Sequence, residues 1–127
     1  MIVGLGIDAC SVPRIASALE RFGERFWERV LTPRERVDLA ARKADRATAL
    51  AGRFAAKEAF SKALGAPKDV WWHDVEVRRA ANGAPELVAH GPALPHLERL
   101  AVSRSLVSIS HDGGVAVAVV VLEAGGA

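Results

Sequence analysis

Residues 2–8 alternate along an extended chain: Val3, Leu5 and Ile7 fall on one side, Gly4, Gly6 and Asp8 on the other. The pattern predicts a strand whose second face carries no side chain before the carboxylate, so that a neighbouring group can approach its backbone. Ser11 suits the N-cap of a helix over residues 12–22 with Pro13 in the first turn; Gly23 ends or bends it, and the helical period resumes to about Val30. Thr32-Pro33-Arg34-Glu35 carries the residues of a capping box and opens a short helix to about Arg42, with a polar stretch at 43–46. Residues 47–64, rich in Ala and Leu and stopped by Gly65, predict the longest helix. After a loop at Ala66-Pro67-Lys68-Asp69, residues 70–79 and 86–90 predict a hairpin around Asn82-Gly83, and residues 92–100 a short helix. Residues 105–110 and 115–122 predict a second hairpin through His111-Asp112-Gly113-Gly114. The last of these strands has no polar face, so it is either central in a layered core or part of a subunit interface. No repeat and no linker interrupts the pattern. The expected fold class is α+β, an antiparallel sheet packed with a long helix in one domain spanning residues 1–127.

Composition narrows the function classes. Half of the 127 residues are apolar, enough for a core. Lys plus Arg exceed Asp plus Glu by 17 to 15, a surplus of two charges. With no polybasic run, aromatic sheet platform or helix-turn-helix pattern, a nucleic-acid-binding role is disfavoured. Cys10 is the single cysteine, so the chain can form neither an internal disulfide nor a thiolate zinc site, which fits a reducing compartment. The first residues lack a basic segment and Asp8 interrupts their apolar run, unlike a signal peptide. The longest apolar run, residues 115–122, is too short to cross a bilayer as a helix. A soluble, cytoplasmic protein without membrane attachment is expected.

The long helix carries the sharpest chemical signal. Ala47, Leu50, Ala51, Phe54 and Ala55 form one apolar stripe, and Glu58 falls within it; Lys62 follows one turn later on the same side, flanked by Ser61. An ionised carboxylate in such a stripe needs a partner. Either Glu58 pairs with Lys62 or Lys57 at the rim, or it belongs to a site. Asp8, on its glycine-cleared strand face, supplies a second carboxylate, and Ser110-His111 supplies polar groups at the end of a third element. Two hard oxygen ligands on rigid elements suit Mg²⁺, which keeps waters and completes its shell from substrate phosphates. Elsewhere, Arg14, Arg21 and Arg25 share one face if the helix runs through Gly23, with Phe22 and Phe26 beside them; the stripe is either solvated or a dock for an acidic partner. Arg53 turns away from Glu58 and is either exposed or reaches a neighbouring subunit. His73, His90 and His96 show no ligand spacing. Trp71-Trp72 reads as core or interface, and Cys10 as a small buried residue.

Gly4-x-Gly6-Ile7-Asp8, Arg14-Ile15, Leu31-Thr32, the fourteen residues 50–63 (LAGRFAAKEAFSKA), Asp74-Val75-Glu76-Val77, Asn82-Gly83-x-Pro85 and Val107-Ser108-Ile109-Ser110-His111 resemble the holo-[acyl-carrier-protein] synthases, the small bacterial 4′-phosphopantetheinyl transferase family. The blocks run in the family's order over nearly the whole chain. The resemblance implies transfer of the 4′-phosphopantetheine arm of coenzyme A to a serine of apo-acyl carrier protein in fatty acid biosynthesis, releasing adenosine 3′,5′-bisphosphate. It also implies a homotrimer with active sites between subunits. Residue by residue, Asp8 and Glu58 match the family's Mg²⁺ ligands, and Lys62 the lysine beside the coenzyme A phosphates. Ser61, Gly65, Pro85, Ser110 and His111 match positions lining the coenzyme A pocket, with His111 a nucleotide-phosphate contact. The first helix, with Arg14 and Arg21 foremost and Arg25 beside them, matches the carrier-protein dock. The proton acceptor is Glu58 or a metal-associated water. The chain departs from the family at Ser11, where many relatives carry Glu; at Ala66-Pro67-Lys68, often glycine-rich; and at Leu106, often His. An alternative reading is a non-catalytic module binding coenzyme A or carrier protein.

Overall fold

The computed structural model describes residues 1–41 and 45–125. Residues 42–44, which include the expected helix end at Arg42 and much of the polar stretch 43–46, lie outside them, as do 126–127.

Strand β1 (Ile2–Ser11) runs straight into helix α1 (Val12–Phe22), where the Ser11 hydroxyl accepts from the Arg14 N–H and Pro13 occupies the first turn. Gly23, at φ 61°, breaks the helical path between α1 and α2 (Glu24–Val30). Helix α3 (Pro33–Ala40) opens with the expected capping box. Thr32 Oγ1 accepts from the Glu35 N–H, and Glu35 Oε1 accepts from the Thr32 N–H at 2.9 Å. Helix α4 (Arg46–Ala63) is the long helix, capped by Asp45. The expected strand at 70–79 starts later: Trp72–Asp74 form a 3-10 turn, and β2 is Val75–Arg79. It pairs with β3 (Pro85–Ala89) around the Asn82-Gly83 turn. Helix α5 (Ala93–Arg99) leads to β4 (Val102–Asp112), and Gly113-Gly114 turn the chain into β5 (Val115–Ala124).

The main sheet is antiparallel in the order β1-β5-β4, with the second hairpin as a separate two-stranded sheet. β5, apolar throughout residues 115–122, is therefore the central strand. One face, through Ala116, Ala118, Val120 and Leu122, is buried against α4. The small residues there are matched by Gly4 and Gly6 on β1: a Cβ on Gly6 would stand 1.9 Å from the Ala59 carbonyl oxygen, and one on Gly4 2.3 Å from that of Ala63. What approaches the glycine-cleared backbone is thus helix α4 itself. The other face of the sheet has no cover among the described residues: Leu5, Ile7 and Leu106 are exposed beside half-buried Val117, Val119 and Val121.

A polar cluster lies under the helices. Glu76, on β2, is buried, and burial would raise its carboxyl pKa. Hydrogen bonds from the Thr32 hydroxyl, His90 and Arg78 overcome that and hold it down at about 2. A carboxylate depressed in the folded state stabilises above its unfolded value and loses that contribution as pH falls through the folded one. Unfolding free energy measured in urea is therefore expected to fall between pH 4.5 and about 2, and less steeply in Glu76→Gln.

Candidate active site

The contacts between β1 and α4 set the site. Gly4 meets Ala63 and Gly6 meets Ala59, so two residues along the strand correspond to four back along the helix. Two strand residues rise roughly 6.6 Å and four helical residues about 6 Å, so the match persists. Continued one step further, the same spacing brings Asp8 toward the turn that carries Glu58. Lys62, one turn beyond Glu58, reaches the same carboxylate: its Nζ donates to Asp8 Oδ1 at 3.0 Å and to the Ile7 carbonyl at 2.9 Å. The thiol of buried Cys10 is raised chiefly by burial, then by the negative charges of Asp8 and Glu58, so it senses both carboxylates. Residues 54 apart in sequence are joined here by one ion pair.

Neither rim pairing foreseen for Glu58 is found. Lys62 takes Asp8, and Lys57 turns inward to Glu35. Glu58 Oε1 instead accepts the indole N–H of Trp72 at 2.8 Å. Glu58 is half-buried, whereas the side chain of its neighbour Lys57 has no exposure. Burial lowers the Lys57 pKa, and Glu35 opposes that pull.

The residue set fits a hard divalent cation in its chemistry. Asp8 and Glu58 offer carboxylate oxygens, and among the described residues no hydrogen bond engages Asp8 Oδ2 or Glu58 Oε2. The described residues hold no cluster of three or more His, Cys, Asp or Glu suited to a metal. Two protein ligands and a remainder from water and phosphate is what Mg²⁺ accepts, and zinc does not. Ser61 lies half-buried on the same helix, and Gly65 caps its end at φ 90°.

The remaining pocket residues do not join this cluster within one chain. Pro85 and His111 line a separate groove of about 520 Å³ with Thr48, Arg53 and Arg79. It lies against the N-terminal half of α4, at Thr48 to Arg53, whereas the carboxylates lie against its C-terminal half. Arg53 is 6% exposed, which removes the solvent-exposed one of its two alternatives. The groove sets Arg53, Arg79 and His111 against one carboxylate, Asp45, and sequence spacing alone did not reveal it. Ser110 and His111 are neighbours on β4 and so point to opposite faces: His111 pairs across to buried Ala116, and Ser110 to Val117 on the uncovered face.

The arginine stripe also divides. Because Gly23 interrupts the helix, Arg14 and Arg21 stay on α1, in a shallow groove bordered by Pro13, Ser17 and Phe22. Arg25 stands on α2, in a second groove with Phe22, Phe26, Arg29 and Trp72. Exposed Phe22 borders both, so the continuous face requiring an unbroken helix is replaced by two basic grooves meeting at a phenylalanine. His73, His90 and His96 are engaged with Glu28, Glu76 and Asp69 respectively.

Residues 4–120 match the 4′-phosphopantetheinyl transferase superfamily (ACPS). Holo-[acyl-carrier-protein] synthase of Anaeromyxobacter dehalogenans is 50% identical, over 99% of both chains. The crystal structure of Helicobacter pylori holo-[acyl-carrier-protein] synthase in complex with coenzyme A superposes with a TM-score of 0.81 at 35% identity, over 94% of this chain and 99% of that one. The Bacillus anthracis enzyme in complex with CoA (3′,5′-ADP) does so with a TM-score of 0.81 at 41% identity, over 98% and 99%. With the α+β architecture, the sequence blocks and these likenesses in agreement across nearly its whole length, the chain belongs to the holo-[acyl-carrier-protein] synthase family of 4′-phosphopantetheinyl transferases.

Proposed function

We propose that the protein transfers the 4′-phosphopantetheine arm of coenzyme A to a serine hydroxyl of an apo-acyl carrier protein, with Mg²⁺ held by Asp8 and Glu58. The observation that carries the reading is the Lys62–Asp8 ion pair one helical turn from Glu58. It supports a reading in which two hard ligands and a cation meet at a pyrophosphate. The serine oxygen bonds to the phosphorus bearing the pantetheine arm. The pyrophosphate P–O bond breaks, and adenosine 3′,5′-bisphosphate leaves with that electron pair. The serine proton passes to Glu58 or to a water beside it. Mg²⁺, when bound, supplies neutralisation of the charge growing on the leaving phosphate. Lys62, exposed enough to reach a ligand, adds a point charge, and phosphoryl transfer rewards such positioning above covalent help. Incubation with coenzyme A, Mg²⁺ and an apo-acyl carrier protein is expected to add one phosphopantetheine to the carrier's mass. An unchanged carrier, or a gain that survives chelation, overturns the reading.

A homotrimer with shared sites is part of the proposal. Two features support it: the uncovered apolar face at Leu5, Ile7 and Leu106, and the division of the coenzyme A residues between the Asp8–Glu58–Lys62 end and the Arg53–His111 groove. Ser61 and Gly65 then serve coenzyme A from one subunit and Pro85 and His111 from the next. Mixed oligomers of Asp8→Ala and His111→Ala, each impaired alone, are expected to regain a fraction of wild-type turnover, because some interfaces unite two intact halves. No recovery after confirmed subunit exchange would restrict the site to one chain.

The carrier is proposed to dock on the paired grooves of α1 and α2 through Arg14, Arg21 and Arg25, since acyl carrier proteins are acidic. Arg14→Glu is expected to raise KM for the carrier roughly tenfold and weaken its salt dependence, leaving KM for coenzyme A unchanged. An unaltered carrier KM removes Arg14 from the dock. A cytoplasmic location is proposed with the same reading, supported by the free Cys10; among the described residues no helix is long and apolar enough to cross a membrane.

A further inference from the structure

Trp72 joins the buried interior to the carboxylate of the candidate site, a connection that its reading as core or interface did not foresee. Its indole N–H donates to Glu58 Oε1 at 2.8 Å. Its carbonyl accepts from Lys57 Nζ at 2.7 Å. That ammonium is fixed by Glu35 at 2.6 Å and by the Val30 carbonyl at 2.8 Å, and neither the Lys57 nor the Glu35 side chain has any exposure. The ring rests against Phe54, with centroids 5.5 Å apart, and Phe54 lies one turn before Glu58 on α4. The 3-10 turn bearing Trp72 is closed by the Asp74 N–H to the Trp71 carbonyl and by the Trp71 N–H to the Asp74 carboxylate. Backbone, ring plane and donor are all held.

An indole N–H only donates and does not titrate in the working range, so it can serve a carboxylate in either protonation state, and best when it is ionised. It engages one oxygen of Glu58 and leaves the other. A glutamate has three side-chain torsions and would otherwise sample several rotamers at the mouth of the site. A donor bound to one oxygen narrows that range without competing for the second.

We propose that Trp72 is a positioning residue, whose indole N–H, anchored from beneath by the Lys57–Glu35 pair, orients Glu58 for the cation and the attacking serine. This rests on the assignment of Glu58 to the transferase site. The bond from a second residue to a ligand's carboxylate has a familiar scale: losing such support costs roughly 10–100-fold in metal affinity or activity.

The test compares Trp72→Phe, which keeps an aromatic ring against Phe54 but has no donor, with Phe54→Leu, which loosens the same packing and keeps the N–H. Free Mn²⁺ is followed by electron paramagnetic resonance in the presence of coenzyme A, and kcat and KM are measured alongside. Trp72→Phe is expected to weaken Mn²⁺ binding and lower kcat, each by about tenfold, with both substrate KM values unchanged. Phe54→Leu should lower thermal stability and leave Mn²⁺ affinity near wild type. In the wild-type protein, one of the three indole N–H resonances should shift on Glu58→Ala, a readout that stands even if Trp72→Phe does not fold. Unmoved indole signals overturn the proposal, as do equal losses in the two packing variants. If wild type transfers phosphopantetheine without binding Mn²⁺, the metal assignment falls, while the indole shift and the kcat of Trp72→Phe still decide the role of Trp72.

Discussion

Asp8→Ala is expected to lower kcat by at least about a thousandfold while the protein keeps its fold. The catalytic loss follows from what the site is asked to supply. Stabilising charge on a departing phosphate contributes several kcal/mol, and each 1.36 kcal/mol is a factor of ten in rate. The small structural cost follows from where Asp8 sits. Among the described residues its side chain is held by Lys62, whose own side chain is half exposed, and the pair contributes little to stability because water solvates the freed ammonium. Glu58→Ala should lose as much turnover, and Glu58→Gln separates the causes. The amide keeps an oxygen for the Trp72 N–H but carries neither the charge nor the basicity, so a loss as deep as that of the alanine variant assigns the effect to the carboxylate. Single-turnover mass spectrometry of the carrier and circular dichroism melting curves give both numbers. An active Asp8→Ala protein with an unchanged Mg²⁺ requirement would discard the metal assignment.

How much of this was legible before the coordinates depends on the range of the interaction. Local chemistry was readable: the Thr32–Glu35 capping box, the Ser11 cap and both glycine-bearing hairpin turns are decided within a few residues, and the structure has each of them. Strand alternation set Asp8 on the face of Gly4 and Gly6, and those glycines let α4 come close enough for Lys62 to reach Asp8. Alternation also implied that Ser110 and His111 diverge, although a shared motif suggested one pocket. What helical spacing could not tell was which charge of α4 goes inside. Lys57 and Glu58 are adjacent, and the choice belongs to Glu35, 22 residues away from Lys57. The Trp72 bond to Glu58 was hidden for the same reason, since it depends on a 3-10 turn where alternation predicted continuous strand. The single arginine face was conditional on a helix running through Gly23, and one backbone angle there decided the condition.

Lys57→Met should produce the largest stability change of any single substitution considered. All three ammonium protons are used, on the Val30 carbonyl, Glu35 and the Trp72 carbonyl, and the side chain has no exposure. Methionine fills the stem of the cavity but returns none of these bonds. Glu35 is left as a buried carboxylate with only the Thr32 and Val77 N–H groups. Breaking a buried pair from one side costs about 3–5 kcal/mol, chiefly the uncompensated charge. Against a total stability of roughly 5–15 kcal/mol, that is a large share, and for a chain of this size it lowers Tm by roughly 10–20 °C. The double variant Lys57→Met/Glu35→Gln should recover part of the loss, because the orphaned charge is gone while an acceptor remains for the cap of α3. Calorimetry on the three variants tests the account: a single variant within 1 kcal/mol of wild type would mean that water reaches Glu35. A double variant no better than the single one would assign the cost to the lost carbonyl bonds. Since one of those carbonyls belongs to Trp72, the same substitution should loosen the donor to Glu58, and turnover should fall even at temperatures where Lys57→Met remains folded.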